Sequence, residues 1–127
     1  MRMLLVLTAV LEAATGLALM IYPSLVTRLL LGDGVSGAGV ALGRVAGFAL
    51  LALGLACWPS SNASSGLRTA LRAMLTYNLL VAVYLLYLGI GGEWVGSLLW
   101  PAVAIHGVMT LLLGGAWFKG QQRQGAI

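Results

Sequence analysis

An all-α integral membrane protein, a bundle of four spanning helices with both termini in the cytoplasm, is the expectation for this chain, and three observations carry it. Of its 127 residues, 61% are hydrophobic and 8% charged. A mean hydropathy of +1.01 leaves too little polar surface to cover a water-soluble fold. Four apolar stretches are each long enough to cross about 30 Å of hydrocarbon at a helical rise of about 1.5 Å per residue. Between them stand Pro23, Gly32-Asp33-Gly34, the Pro59 to Gly66 linker and Gly91-Gly92-Glu93, which are residue types that end helices. The whole of 1–127 is then one transmembrane domain.

The first span runs from Met3 to Tyr22. Met1-Arg2 before an apolar run resembles a cleaved signal peptide, but Glu12 interrupts the run and hydrophobicity continues to Tyr22, so the segment reads as a retained helix. Thr8, Glu12, Thr15 and Gly16 share one of its faces at spacings of three and four. After Pro23, residues 24–31 place Leu25, Leu29 and Leu30 on one side, the pattern of a short interfacial helix whose Arg28 would reach lipid phosphate; a simple extension of the first span is the other reading.

The second span covers Ala38 to Trp58 and carries Gly39, Gly43 and Gly47 at spacing four, then Gly54, a pattern that lets a neighbouring backbone approach closely. The third covers Leu67 to Ile90, with Tyr77 and Tyr84 one heptad apart on one face. The fourth covers Trp94 to Phe118, with Pro101 in its first turns and a small, polar stripe of Ala102, His106, Thr110 and Gly114.

Charge orients the bundle. The net charge of +4 is not a nucleic-acid footprint, because the cations flank spans instead of forming a basic face. Arg2, Arg68, Arg72, Lys119 and Arg123 fall at one end, whereas Arg28, Asp33 and Glu93 fall at the other. The positive-inside rule then puts both termini in the cytoplasm, with Tyr22, Tyr87, Trp94 and Trp100 toward the outer interface and Trp58 and Trp117 toward the inner one. On this topology the Asn62-Ala63-Ser64 sequon faces the cytoplasm and serves as linker. Cys57 has no second thiol for a disulfide and reads as a small apolar residue.

Function is expected where polar side chains enter the apolar layer. Counting the helical rise puts Glu12, Asn78 and His106 at one level, roughly 13 to 17 Å into the hydrocarbon, and Arg44 about 9 Å below the outer edge, from where its side chain can either snorkel outward or bend inward toward Glu12. Such groups are costly in lipid and must face protein or water. The expected site for a ligand or proton is therefore Glu12, Arg44, Asn78, His106 and Tyr77. Opposite charges suggest a buried Glu12–Arg44 ion pair, and a Glu12–His106 acid–base pair is also conceivable. Asn78 reads first as a tie between helices, and Tyr77 as packing or as the wall of a cavity for an amphipathic ligand. No metal is implied, since no second histidine or carboxylate stands at ligand spacing beside His106, and no catalytic signature or cofactor motif occurs.

Glu12, Gly16-Leu17-Ala18-Leu19, Pro23, Leu30-Leu31-Gly32, Gly43-Arg44-Val45-Ala46-Gly47 and Leu53-Gly54-Leu55 together resemble the small bacterial DoxX-like membrane proteins. The resemblance covers mainly the first two spans. It implies a compact four-helix bundle in a bacterial inner membrane, in a family where some members are associated with quinone-linked or sulfur redox systems and many have no assigned role. No redox ligand is carried over residue by residue.

The reading taken from these residues is binding or movement of a small molecule or proton through the polar site. An accessory or assembly subunit with a purely structural polar layer is the alternative, and a small enzyme acting on a lipid-like substrate is the third. Expected partners are the lipid bilayer and a small amphipathic ligand, with a second copy or another membrane subunit because four short helices enclose little volume.

Overall fold

A computed structural model describes residues 1–58 and 64–122, all but the terminal Met1 and the connections in helices: α1 Arg2–Ile21, α2 Pro23–Leu31, α3 Ala38–Ala56, α4 Ser64–Gly91 and α5 Leu99–Gln122. α1, α3, α4 and α5 are long and apolar enough to cross a membrane. The sequon at Asn62, most of the expected Pro59–Gly66 linker, and Arg123 in the tail lie outside the described residues.

Each break has a local cause. α1 stops at Tyr22, whose N–H still donates to the Ala18 carbonyl at 2.8 Å. Pro23 has no N–H to continue the ladder and opens α2 at its first position, so residues 23–31 form a separate helix and not an extension of the first span. α2 ends on Gly32, left-handed at φ 84°, whose N–H donates to the Arg28 carbonyl. The turn that follows is held by the Gly34 N–H on the Asp33 carboxylate at 2.7 Å and the Val35 N–H on the Thr27 hydroxyl at 3.2 Å.

Several boundaries differ from expectation: α3 stops at Ala56, two residues before Trp58, and α5 runs on to Gln122, four residues past Phe118. α4 begins at Ser64, three residues before Leu67, so part of the expected linker is helical. α5 begins at Leu99 and not at Trp94, because the chain before it bonds elsewhere. The Gly96 N–H donates to the Leu30 carbonyl at 3.1 Å and the Leu98 N–H to the Leu29 carbonyl at 2.8 Å. These carbonyls are among those that a helix end leaves without internal partners, so the α4–α5 connection caps α2 across the molecule. The approach is close enough that a Cβ on Gly96 would meet the Leu29 carbonyl.

The helices pack chiefly as two pairs, α1 with α3 and α4 with α5, while α1 also touches α4 and α5. Glycines set the first pair. A Cβ on Gly47 would lie 2.6 Å from the Gly16 carbonyl oxygen, and one on Gly54 would lie 2.7 Å from that of Ala9, so backbone meets backbone along the crossing. Leu5, Ala9, Cys57, Ala70, Leu71, Met74, Met109 and Leu113 form a buried core toward the end where α1 begins. The Cys57 thiol closes that end by donating to the Ala70 carbonyl at 3.8 Å.

Candidate functional site

Directly beyond this core comes a polar layer. Thr8, Glu12 and Asn78 are the buried polar side chains among the described residues, with Glu12 3% and Asn78 1% exposed. Their burial follows from helix periodicity. Thr8, Glu12 and Gly16 form a row at spacing four on α1, and Leu71, Met74, Asn78 and Leu85 are buried on α4 at spacings of three, four and seven, with Ala70 buried beside Leu71. His106 on α5 is half-buried, three residues before buried Met109.

Hydrogen bonding fixes the chemistry of the histidine. The Asn78 side-chain nitrogen donates to the Met74 carbonyl, one turn back on α4, at 2.9 Å. A backbone carbonyl only accepts, so the amide oxygen must be the atom that faces His106 Nδ1, also at 2.9 Å. That oxygen only accepts as well, so Nδ1 carries the hydrogen. In the neutral ring Nε2 is then the basic nitrogen, and among the described residues no side chain bonds it. The Thr110 hydroxyl donates to the His106 carbonyl at 2.8 Å and bonds within its own helix.

Tyr77, adjacent to Asn78, is turned about 100° from it around the helix and serves the other side of the layer. Its ring stands edge-on to the imidazole, with centroids 5.9 Å apart and planes at 76°. Its hydroxyl lies on the side of the Glu12 carboxyl, near enough for the two to interact. Thr8 donates to the Leu4 carbonyl at 2.7 Å and rests against the Met109 sulfur at 3.9 Å. Glu12, Tyr77, His106 and Asn78 thus form one run of neighbouring side chains from α1 through α4 to α5. Among the described residues, every fully buried side-chain nitrogen and oxygen has a hydrogen-bond partner.

Arg44 is not brought into this layer. α3 turns Gly47 and Gly54 toward α1 and leaves Arg44 exposed, without an ion pair to Glu12. The carboxyl has a neutral hydroxyl near it in place of the guanidinium that opposite charge suggests. Tyr84 is 60% exposed and does not share the position of Tyr77. No group of three His, Cys, Asp or Glu side chains that could hold a metal occurs among the described residues. The anchoring role of the Met74 carbonyl is the contact sequence reasoning missed, although an asparagine inside a helix has a known tendency to bond the carbonyl four residues back.

The arrangement offers a carboxyl, a hydroxyl and a basic ring nitrogen in sequence, each able to donate or accept a proton or to bond a small polar group. No protein-family model matches the chain, and no curated protein or solved structure matches it.

Proposed function

We propose that the chain is a four-span protein of a bacterial inner membrane, both termini cytoplasmic, that binds or moves a proton or the polar end of a small amphipathic molecule at Glu12, Tyr77 and His106. The observation that carries this reading is the orientation of His106: Asn78 occupies Nδ1, and among the described residues no side chain bonds the basic Nε2. A histidine that served packing alone would gain from bonding both nitrogens. Kinship with the DoxX-like bundles belongs to the same proposal and rests on the residues of the first two spans.

Nitrogen-15 spectra of the histidine ring in lipid nanodiscs test it. The expected result is the Nδ1–H form at high pH, titration of Nε2 within about pH 5 to 8, and a proton flux or ligand-induced shift that His106→Ala removes while the helices stay folded. A ring that remains in one state over that range, with neither flux nor ligand shift, defeats the proposal. The accessory-subunit reading would then take its place, and one observation favours it: every fully buried polar side-chain atom among the described residues already has a partner.

Topology has its own check. Cys57 is 2% exposed, yet it is best replaced by alanine as background. With single reporters at Glu93→Cys and Gln122→Cys, an impermeant maleimide should label the first in intact cells and the second only after lysis. Labelling of Gln122→Cys in intact cells would reverse the orientation.

A further inference from the structure

A second feature lies at the end of the molecule where α1 begins and α5 finishes. An open groove there is lined by Met1, Leu111, Leu112, Gly115, Ala116 and Lys119, among others. Leu111, Gly115 and Lys119 stand one above another at spacing four, and Leu112 and Ala116 make the adjacent row. From Leu111 to Lys119 the groove follows about 12 Å of helix, close to the depth of one leaflet of a hydrocarbon layer about 30 Å thick. Its floor is apolar and its water-facing end is a cation.

We propose that this groove holds one chain of an anionic phospholipid whose phosphate sits at Lys119. The lining selects hydrocarbon over a peptide, because the side chains below Lys119 offer nothing to a peptide's amide groups. Charge selects the headgroup. Arg2 opens α1, Arg68 and Arg72 lie in the first turns of α4, and Lys119 lies in the last turn of α5. The chain's three acidic residues are elsewhere, Glu12 in the middle of α1 and Asp33 and Glu93 at the other end. Arg72 is committed to the ring of Trp117, 4.8 Å from its centroid, and among the described residues that line the groove Lys119 is the cation.

Two substitutions isolate the two parts. A Cβ on Gly115 meets nothing within 4 Å, so Gly115→Leu starts a side chain into the groove it lines without a clash at its first carbon. Lys119→Gln removes the charge from an exposed position. The purified protein in detergent is offered phosphatidylglycerol or phosphatidylcholine with identical acyl chains, and retained lipid is counted by native mass spectrometry beside the lipid-free melting temperature. We expect preferential retention of phosphatidylglycerol, about fivefold weaker in Lys119→Gln and lost in Gly115→Leu, with the lipid-free melting temperature not lowered in either, since replacing an exposed mid-helix glycine favours the helix. Equal retention of the two lipids by the unaltered protein, or undiminished phosphatidylglycerol on Gly115→Leu, overturns the site. Should Gly115→Leu melt early, Lys119→Gln decides alone: unchanged preference for phosphatidylglycerol rejects the proposal.

Discussion

Gly47→Val is expected to lower the stability of the bundle by about 3 kcal/mol, the upper part of the usual range for overpacking, and to separate α1 from α3. A Cβ at Gly47 would lie 2.6 Å from the Gly16 carbonyl oxygen and 2.9 Å from the Met20 nitrogen; one at Gly16 would lie 2.7 Å from the Gly47 carbonyl oxygen and 2.8 Å from the Leu51 nitrogen. These neighbours are backbone, so no rotamer change relieves them. The helices must move apart along the whole crossing, and dispersion between the remaining groups falls quickly with such a gap. Lipid gives no compensating hydrophobic drive between helices. Unfolding in a detergent titration followed by circular dichroism measures the loss. Gly107→Ala is the control, since a Cβ there meets nothing within 4 Å and its midpoint should not fall. An undiminished midpoint for Gly47→Val would mean that the α1–α3 crossing does not depend on backbone contact.

Asn78→Ala should cost about 2 kcal/mol, because it leaves the His106 Nδ1–H without its acceptor in apolar surroundings and strips the Met74 carbonyl of its side-chain donor. His106→Ala removes the imidazole and its contact with the Tyr77 ring. The two changes share one hydrogen bond, so their combined effect should fall short of the sum by about 1 kcal/mol, within the range measured for hydrogen bonds between membrane helices. Additive effects would show that the 2.9 Å contact contributes nothing to stability. The ring spectra give a second measure, because without Asn78 the preference for the Nδ1–H form should disappear.

What is legible in the sequence is whatever depends on one helix at a time. Length and hydropathy suffice to locate α1, α3, α4 and α5, and Pro23 and Gly32 delimit α2 because each acts on its own backbone. The level of Asn78 and His106 follows from the constant rise per residue. Their pairing does not, because it depends on how α4 and α5 are rotated about their axes, which many neighbours decide together. Arg44 illustrates the gap. Its charge and depth suggest Glu12, yet the glycines of α3 settle which face meets α1, and steric fit between backbones leaves the arginine outside. The start of α5 escapes sequence reading for a related reason: the residues around Trp94 are apolar enough to continue a helix, but Gly96 and Leu98 give their N–H groups to α2, some 66 positions earlier in the chain.

That backbone clasp between Gly96, Leu98 and the end of α2 bears on how freely the sequence can drift. Its bonds run from main chain to main chain, and any residue other than proline supplies the same donor and acceptor. Leu29, Leu30 and Leu98 can therefore exchange for other apolar residues across generations without loosening the join. Gly96 is the exception, because a side chain there collides with the Leu29 carbonyl. One invariant glycine beside freely varying leucines is the signature to look for among natural variants of this chain.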